Sequence, residues 1–368
     1  MKRFILLALA FCMICVTQNA YSIMQADLVK AEQGDAHAQN NLGNMYYQGK
    51  GVPQNYAKAM EWYTKAAVQG YAHAQNNLGT MYGDGTGVSQ DYAKAVGWYT
   101  KAAEQGNAAA QKNLGYAYEI GQGISQDYAK AMEWYTKSAE QGFADAQNNL
   151  GTMYENSRGV PQNYDKAIEW YTKAAEQGNV YAQTNLGNMY YQGKGMPQNY
   201  AKAMELYTKA AEQKYARAQL IITKYGSNHK ALIDLFTQLL TQLTNQSGIG
   251  NNKSIVVAVL PLMANQALAS SADYFTQYLS YATTQYGNWT AVERNDLQKI
   301  LDEHAIQLSE LTEGSTELGG LLGAQILISG VLYEKDGNYE LYIKMLHVES
   351  GELFAMSSIM IDKSFGVK

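Results

Sequence analysis

The chain has 368 residues, room for two or three domains of ordinary size, and its 46% hydrophobic and 17% charged residues mark a folding chain rather than a disordered one. Lys plus Arg number 28 and Asp plus Glu 33, a formal charge of −5; this excludes a nucleic-acid binder held by phosphate contacts, which needs a basic face. The acidity is concentrated at the end, where residues 254–368 carry 6 basic and 14 acidic side chains.

In chain order the first element is an export signal. Lys2 and Arg3 precede an apolar run from Phe4 to Val16, shorter than the roughly 20 residues a bilayer span needs, and polar Thr17 to Asn19 follow. Ala20, Tyr21 and Ser22 offer an AxS site, so residues 1–22 are expected to be removed after Ser22. The only cysteines, Cys12 and Cys15, lie in that segment, so the mature chain has no thiol, disulfide or thiolate metal site. Leu9 to Cys12 also resembles a lipidation box, with bulky Phe11 where a small residue belongs. Nowhere else do 18 consecutive apolar residues occur, so no membrane span is expected in the mature chain.

Next come five copies of one unit. The dipeptide LG recurs at Leu42, Leu78, Leu114, Leu150 and Leu186, always 36 apart, the mark of a stacked array. Ala38, Leu42, Met45 and Tyr46 share one helical face, and Ala59, Trp62, Tyr63, Ala66 and Ala67 another, so each unit holds two amphipathic helices. Gly49 and Gly51 break the chain between them. Asn55, Asp91, Asp127, Asn163 and Asn199 are placed to N-cap the second helix. Gly70, Gly106, Gly142 and Gly178 can close it at positive φ; the fifth copy has Lys214 there, and Leu206 in place of Trp62, Trp98, Trp134 and Trp170, as an end cap would. The glycine of LG sits mid-helix at a cost of about 1 kcal/mol against Ala, which close approach of the second helix's Trp and Tyr is expected to offset. Glu61 with Lys65 recurs as Glu133 with Lys137, Glu169 with Lys173 and Glu205 with Lys209, while Gly97 breaks the pair and makes the second helix of copy two the weakest.

These residues resemble Sel1-like repeats, a helix-turn-helix family related in shape to tetratricopeptide repeats, over about residues 27–222. The resemblance implies a right-handed α/α solenoid that binds proteins or peptides. Secreted, cysteine-rich relatives linked to β-lactams are pinned by disulfides that this mature chain lacks. A stripe of the first helices carries an Asn in all five copies, and the candidate partner-binding residues are Asn41, Asn44, Asn77, Thr80, Asn113, Tyr116, Asn149, Asn185 and Asn188. An Asn ladder can hydrogen-bond an extended backbone without sequence selectivity. Recent duplication explains the same identity, since copies one and five share LGNMYYQGKG almost verbatim.

The register is lost after Tyr225. Leu232, Leu235, Phe236, Leu239, Leu240 and Leu243 predict a helix from about Lys230 to Thr244, and Gln246 to Lys253 a loop. Ser254 to Leu262 reads as a buried strand ended by Pro261, Ala272 to Tyr286 as a helix, and Trp289 to Val292 as a strand. Asp296 to Ala305, capped by Asn295 or Asp296, and Glu317 to Gly323 follow as helices. Strands Gln325 to Tyr333, Tyr339 to His347 and Leu353 to Ile361 turn at Asp336-Gly337 and Ser350-Gly351. The division is thus 1–22 signal, 23–225 solenoid, 226–253 helix and linker, and 254–368 a small α+β domain with a mixed sheet.

VVAVLPL, AVERNDLQKILDEH around Glu293 and Arg294, LGGLLGAQILISGVL and SGELFA together resemble the domain of the CsgG-type curli secretion protein, the FlgO-type flagellar protein and the lipoprotein activators of penicillin-binding proteins. The resemblance implies a cell-envelope location, periplasmic or outer-membrane-associated, and a role in assembly. The tight turn at Gly337 leaves no room for long membrane hairpins. Arg294 beside Glu293 is a charge pair at a helix start or part of a partner surface. Tyr274, Phe275, Tyr278, Tyr281 and Tyr286 exceed what one helix face needs and suggest an interface, including self-association.

A search for catalytic groups finds His37, His73, His229, His304 and His347 without HExxH spacing, no GxSxG elbow and no phosphate loop; Gly83, Gly85 and Gly87 read as turn chemistry. The expectation is a non-enzymatic envelope adaptor without cofactor, metal or nucleic acid. The alternatives are an activator of peptidoglycan synthesis and a hydrolase of β-lactams or peptidoglycan.

Overall fold

A computed structural model describes residues 25, 27–249, 254–292, 296–297, 299, 321–348 and 353–365. The export segment, Glu293 and Arg294, His304, the Ser350-Gly351 turn, and most of the helices expected at 296–305 and 317–323 lie outside the described residues. Two compact units divide the chain, one ending at Asn179 and the other beginning at Val180.

The first unit is four helical hairpins: α1 (Ala36–Gln48) with α2 (Tyr56–Val68), α3 (Ala72–Asp84) with α4 (Tyr92–Glu104), α5 (Ala108–Ile120) with α6 (Tyr128–Glu140), and α7 (Ala144–Glu155) with α8 (Tyr164–Glu176). Each first helix ends where one residue takes left-handed backbone: Gly49, Gly85 and Gly121 near φ 70, and Ser157 at φ 59 in the fourth copy. Asn55, Asp91, Asp127 and Asn163 then accept the N–H of Lys58, Lys94, Lys130 and Lys166 at 2.9–3.0 Å, which are the N-caps the sequence predicts.

The LG glycines are explained by one ring. A Cβ on Gly43, Gly79, Gly115 or Gly151 would lie 2.8 Å or less from Tyr63, Tyr99, Tyr135 or Tyr171 respectively. Tyrosine alone fills the place; the tryptophans one residue earlier are half-buried on another face, with Lys65, Lys101, Lys137 and Lys173 ammonium groups 4.1–4.4 Å over their rings.

Hairpins are joined to one another by buried glutamines. Gln75, Gln111 and Gln147 donate to the carbonyls of Ala67, Ala103 and Ala139 on the preceding hairpin at 3.1–3.2 Å. Each accepts at 2.7 Å from the glutamine ending its own second helix: Gln105, Gln141 and Gln177. A buried amide is costly unless satisfied, and here donor and acceptor are both used.

The second unit begins with the fifth hairpin, α9 (Val180–Gln192) and α10 (Tyr200–Glu212), and continues into α11 (Ala216–Ser247). α11 has 32 residues, about twice the length the apolar stripe predicts, because it starts as the first helix of a sixth copy, with Ala218 fully buried. Thirty-six residues after Gly193 stands His229, inside the helix, so the left-handed stop of the other copies is absent and the helix runs on. Residues 225 and 226 lie within it.

Beyond α11 come β1 (Ile255–Val259), α12 (Ala269–Thr284), β2 (Trp289–Ala291), β3 (Ile326–Lys335), β4 (Asn338–His347) and β5 (Leu353–Ile361). The sheet order is β2-β1-β3-β4-β5, with β1 parallel to β2 and β3 and the remaining pairs antiparallel. Asp336 (φ 51) and Gly337 (φ 79) are both left-handed, the primed turn their pairing predicts. α11 and α12 cover one face of the sheet, where Phe236, Leu240, Phe275 and Leu279 pack with Val257, Ile328, Leu341 and Ile343.

Candidate functional site

The predicted stripe lies on the first helices, and its side chains are largely engaged with one another. Asn77 Nδ2 donates to Asn40 Oδ1 at 3.0 Å and reaches Asn44 Oδ1 at 3.4 Å; Asn113 Nδ2 donates to Asn76 Oδ1 at 3.0 Å. Asn44 also accepts the Tyr63 hydroxyl at 2.7 Å. Thr80 Oγ1 accepts from Tyr99 at 3.4 Å and donates to the Asn76 carbonyl. Asn41 contacts Asp27 and His37, and Asn149 Oδ1 accepts from Asn148. Asn77 and Asn113 thus form rungs between consecutive hairpins, and each keeps a carbonyl oxygen that makes no hydrogen bond among the described residues. Sequence reading missed the acceptors Asn40 and Asn76, one position before the stripe.

Copy three departs from this chemistry. Tyr116 is 50% exposed and Ile120, one turn on, 42%. Beneath them Glu119 accepts the Tyr135 hydroxyl at 2.8 Å and Arg158 Nη1 at 2.7 Å, so its charge is matched. Burial raises the Tyr135 hydroxyl well above its ordinary pKa, and the Glu119 charge adds to that; burial does the same for Tyr63, Tyr99 and Tyr171. These phenols remain protonated donors at any physiological pH.

In the second unit Asn188 accepts the Tyr207 hydroxyl at 2.8 Å, Asn185 is likewise engaged, and exposed Tyr181 meets Tyr215 edge to face at 5.2 Å. The aromatic surplus of α12 is used internally. Phe275, Tyr278 and Tyr286 are buried, Tyr274 packs on Tyr200 at 5.1 Å, and the Tyr200 N–H donates to Gln277 Oε1 at 2.6 Å. His229 Nδ1 lies 3.2 Å from the Tyr278 hydroxyl, and burial holds its pKa below the ordinary value, opposed by the charge of Glu205. The rings therefore seat the fifth hairpin and α11 against the C-terminal sheet.

His37 and His73 are exposed, and His347 meets Phe354 edge to face at 5.0 Å. Among the described residues no three His, Cys, Asp or Glu gather in a way that could hold a metal ion. No helix among them is long and apolar enough to cross a membrane. Of the glycine run, Gly83 lies inside α3, Gly85 (φ 69) caps that helix and Gly87 (φ 72) belongs to the inter-helix turn, so only the last two are turn chemistry.

The Sel1 repeat family matches residues 36–71, 72–107, 108–143, 144–179 and 180–215, and the family of the curli production assembly/transport component CsgG matches residues 242–340. No curated protein matches the chain. A solved Sel1 repeat protein from Oxalobacter formigenes is 34% identical with a TM-score of 0.54, covering 59% of this chain and 87% of its own. A protective antigen of uropathogenic Escherichia coli with an SLR fold is 31% identical over 79% of this chain and 57% of its own, with a TM-score of 0.49. The LpoB C-terminal domain of Salmonella enterica is 16% identical over 35% of this chain and 96% of its own, with a TM-score of 0.30. Five copies in register, each closed by its own tyrosine-on-glycine contact or the matching spacing, place the chain in the Sel1 repeat family, with a CsgG-family match over its C-terminal part.

Proposed function

We propose that the chain is an exported, non-catalytic adaptor of the cell envelope. Its hairpins grip a protein partner, and its C-terminal domain docks on an envelope assembly. The observation that carries the reading is the exposed pair Tyr116 and Ile120, which stand where the other copies carry polar side chains: Asn44, Thr80, Thr152 and Asn188 at the first position, and Gln48, Asp84, Asn156 and Gln192 at the second. A large aromatic ring in water, surrounded by polar rungs, has the composition of an interface anchor within a hydrogen-bonding rim. The free carbonyl oxygens of Asn77 and Asn113 flank it along the same face and suit the N–H groups of an extended segment. The CsgG-family match supports the envelope setting, and the N-terminal segment supports export with removal of residues 1–22.

Capture from envelope extracts on the immobilised full chain tests this, comparing the native protein with a Tyr116→Ser, Ile120→Ser variant. Loss of the captured partner from the variant is expected; equal capture would refute the stripe. Turnover of a chromogenic β-lactam in proportion to protein concentration would overturn the non-catalytic reading. Amino-terminal sequencing of the protein recovered from cells checks removal of residues 1–22.

A further inference from the structure

The two edges of the sheet are unequal. β2 has three residues, whereas β5 offers nine, Leu353–Ile361, and contains no charged residue and no proline. Those are the usual devices that keep an edge strand solitary. Its register shift lies at the Leu353 end, between Met345 and Leu346 of β4, so Ala355 to Ile361 run regularly. Ala355 and Ile361 are buried toward the helices and Ser357 donates to Gln242 of α11, whereas Met356 (59% exposed) and Met360 (46%) flank exposed Ser358 on the open face.

We propose that β5 is the docking edge for a second copy of this chain, the two strands pairing antiparallel about a twofold axis through Ser358. Residues directly opposite in an antiparallel pair share a face. This axis sets Ser358 against its own copy, Met356 against Met360, Ser357 against Ile359 and Ala355 against Ile361. Every residue of the regular stretch finds a partner, small faces large on the helix-covered side, and methionine faces methionine on the open side. Moving the axis to Ser357 would set Met356 against Ser358 and force Ile361 against Leu353 across the irregular end.

Charge on the neighbouring strand follows the same symmetry. Lys344 pairs with Met356 and Glu340 with Met360. In the twofold assembly each row across the sheet therefore begins with Lys344 and ends with Glu340 of the partner subunit, and the reverse row is its equal. A foreign strand has no reason to reproduce that pattern; a second copy does so by symmetry. The result is a continuous ten-stranded sheet. The inference does not depend on what the hairpins grip, so either reading can fail alone.

Sedimentation velocity of the full chain across a concentration series tests it. The expected result is a mass rising from one chain toward two. Ser358→Pro, which removes an edge N–H, and the pair Met356→Lys, Met360→Lys should each hold the protein at one chain with its circular dichroism unchanged. In a background of C12S and C15S, Ser358→Cys should form an interchain disulfide on oxidation, since directly opposed Cα atoms lie about 4.5–5.5 Å apart, while Tyr333→Cys, two strands in on the same face, should not. If Ser358→Pro fails to fold, the lysine pair and the cysteine decide. A single-chain mass at every concentration, which would include an edge reserved for a foreign strand, or a dimer indifferent to the edge variants, would overturn the proposal.

Discussion

One substitution made at two glycines in consecutive helices should move stability in opposite directions. Gly79 in α3 and Gly97 in α4 both have ordinary helical backbone, so Ala at either gains about 1 kcal/mol from propensity. At Gly97 a new Cβ meets nothing within 4 Å, and the whole gain should appear; Gly97→Glu should add about 0.2–0.5 kcal/mol by pairing with Lys101. At Gly79 the Cβ would lie 2.5 Å from the Tyr99 ring, and the ring cannot retreat without leaving its hydroxyl contact with Thr80. Overpacking of this kind costs about 1–3 kcal/mol and the lost contact about 1 kcal/mol, so after the propensity gain the net effect of Gly79→Ala is a loss of roughly 1–3 kcal/mol. Urea unfolding followed by tryptophan fluorescence reads the sign, and amide exchange over residues 92–104 places it, since repeat arrays need not unfold as one unit. Two shifts of the same sign would refute the assignment of the LG glycine to tyrosine packing.

Gln111→Leu removes one hydrogen bond from the Ala103 carbonyl, which keeps the Gly106 N–H, and one from the Gln141 amide, which keeps the Lys137 carbonyl, and should cost about 1–2 kcal/mol with faster amide exchange in copies two to four; protection equal to the native protein would show that the relay is dispensable. Lys214 holds left-handed backbone (φ 64) where the earlier copies have glycine, so Lys214→Gly should stabilise by roughly 0.5–1 kcal/mol in the same urea assay, net of the added freedom of the unfolded chain. His229 is held below its ordinary pKa of 6.5 by burial, so the unfolded chain binds the proton first. Its contribution is complete above that value and is lost as pH falls from there toward the depressed folded pKa. His229→Gln should flatten the decline in urea midpoint between pH 7 and 5, and an unchanged decline would place its origin elsewhere.

The hairpins were legible because their signals are local and repeated. Cap residues, left-handed glycines and the 36-residue period each fix φ, ψ or a face without reference to distant contacts, and β5 was read with its observed bounds for the same reason. Two things escaped. α11 was cut short because its first turns borrow their apolar pattern from the repeat and its later turns from the sheet, and only the missing stop at His229 shows that they are one helix. The glutamine relay escaped because a Gln at a buried helical position gives no amphipathic signal; its meaning appears only when the preceding hairpin supplies the carbonyl. The stripe was located as a face, but its internal bonding depends on Asn40 and Asn76, which periodicity assigns to the core side.

That bonding changes what the repeated asparagine can mean. Asn77 and Asn113 have a sufficient structural reason to be present, since each ties one hairpin to the one before, and identity between copies therefore says nothing about a ligand. Evidence for a binding face must come from residues the ladder does not use, and Tyr116 and Ile120 are those: large side chains about half exposed to water and outside the buried core cluster of their hairpin. The two classes should separate under mutation. Asn113→Ala should lower stability by about 1 kcal/mol and change partner affinity only as far as the hairpins loosen, whereas Tyr116→Ser with Ile120→Ser should leave the urea midpoint in place and weaken capture at least tenfold, the loss of about 1.4 kcal/mol or more that truncating a central aromatic anchor brings. If instead the asparagine variant loses its partner at full stability and the aromatic pair is silent, the amide ladder itself is the binding surface and the exposed rings are incidental.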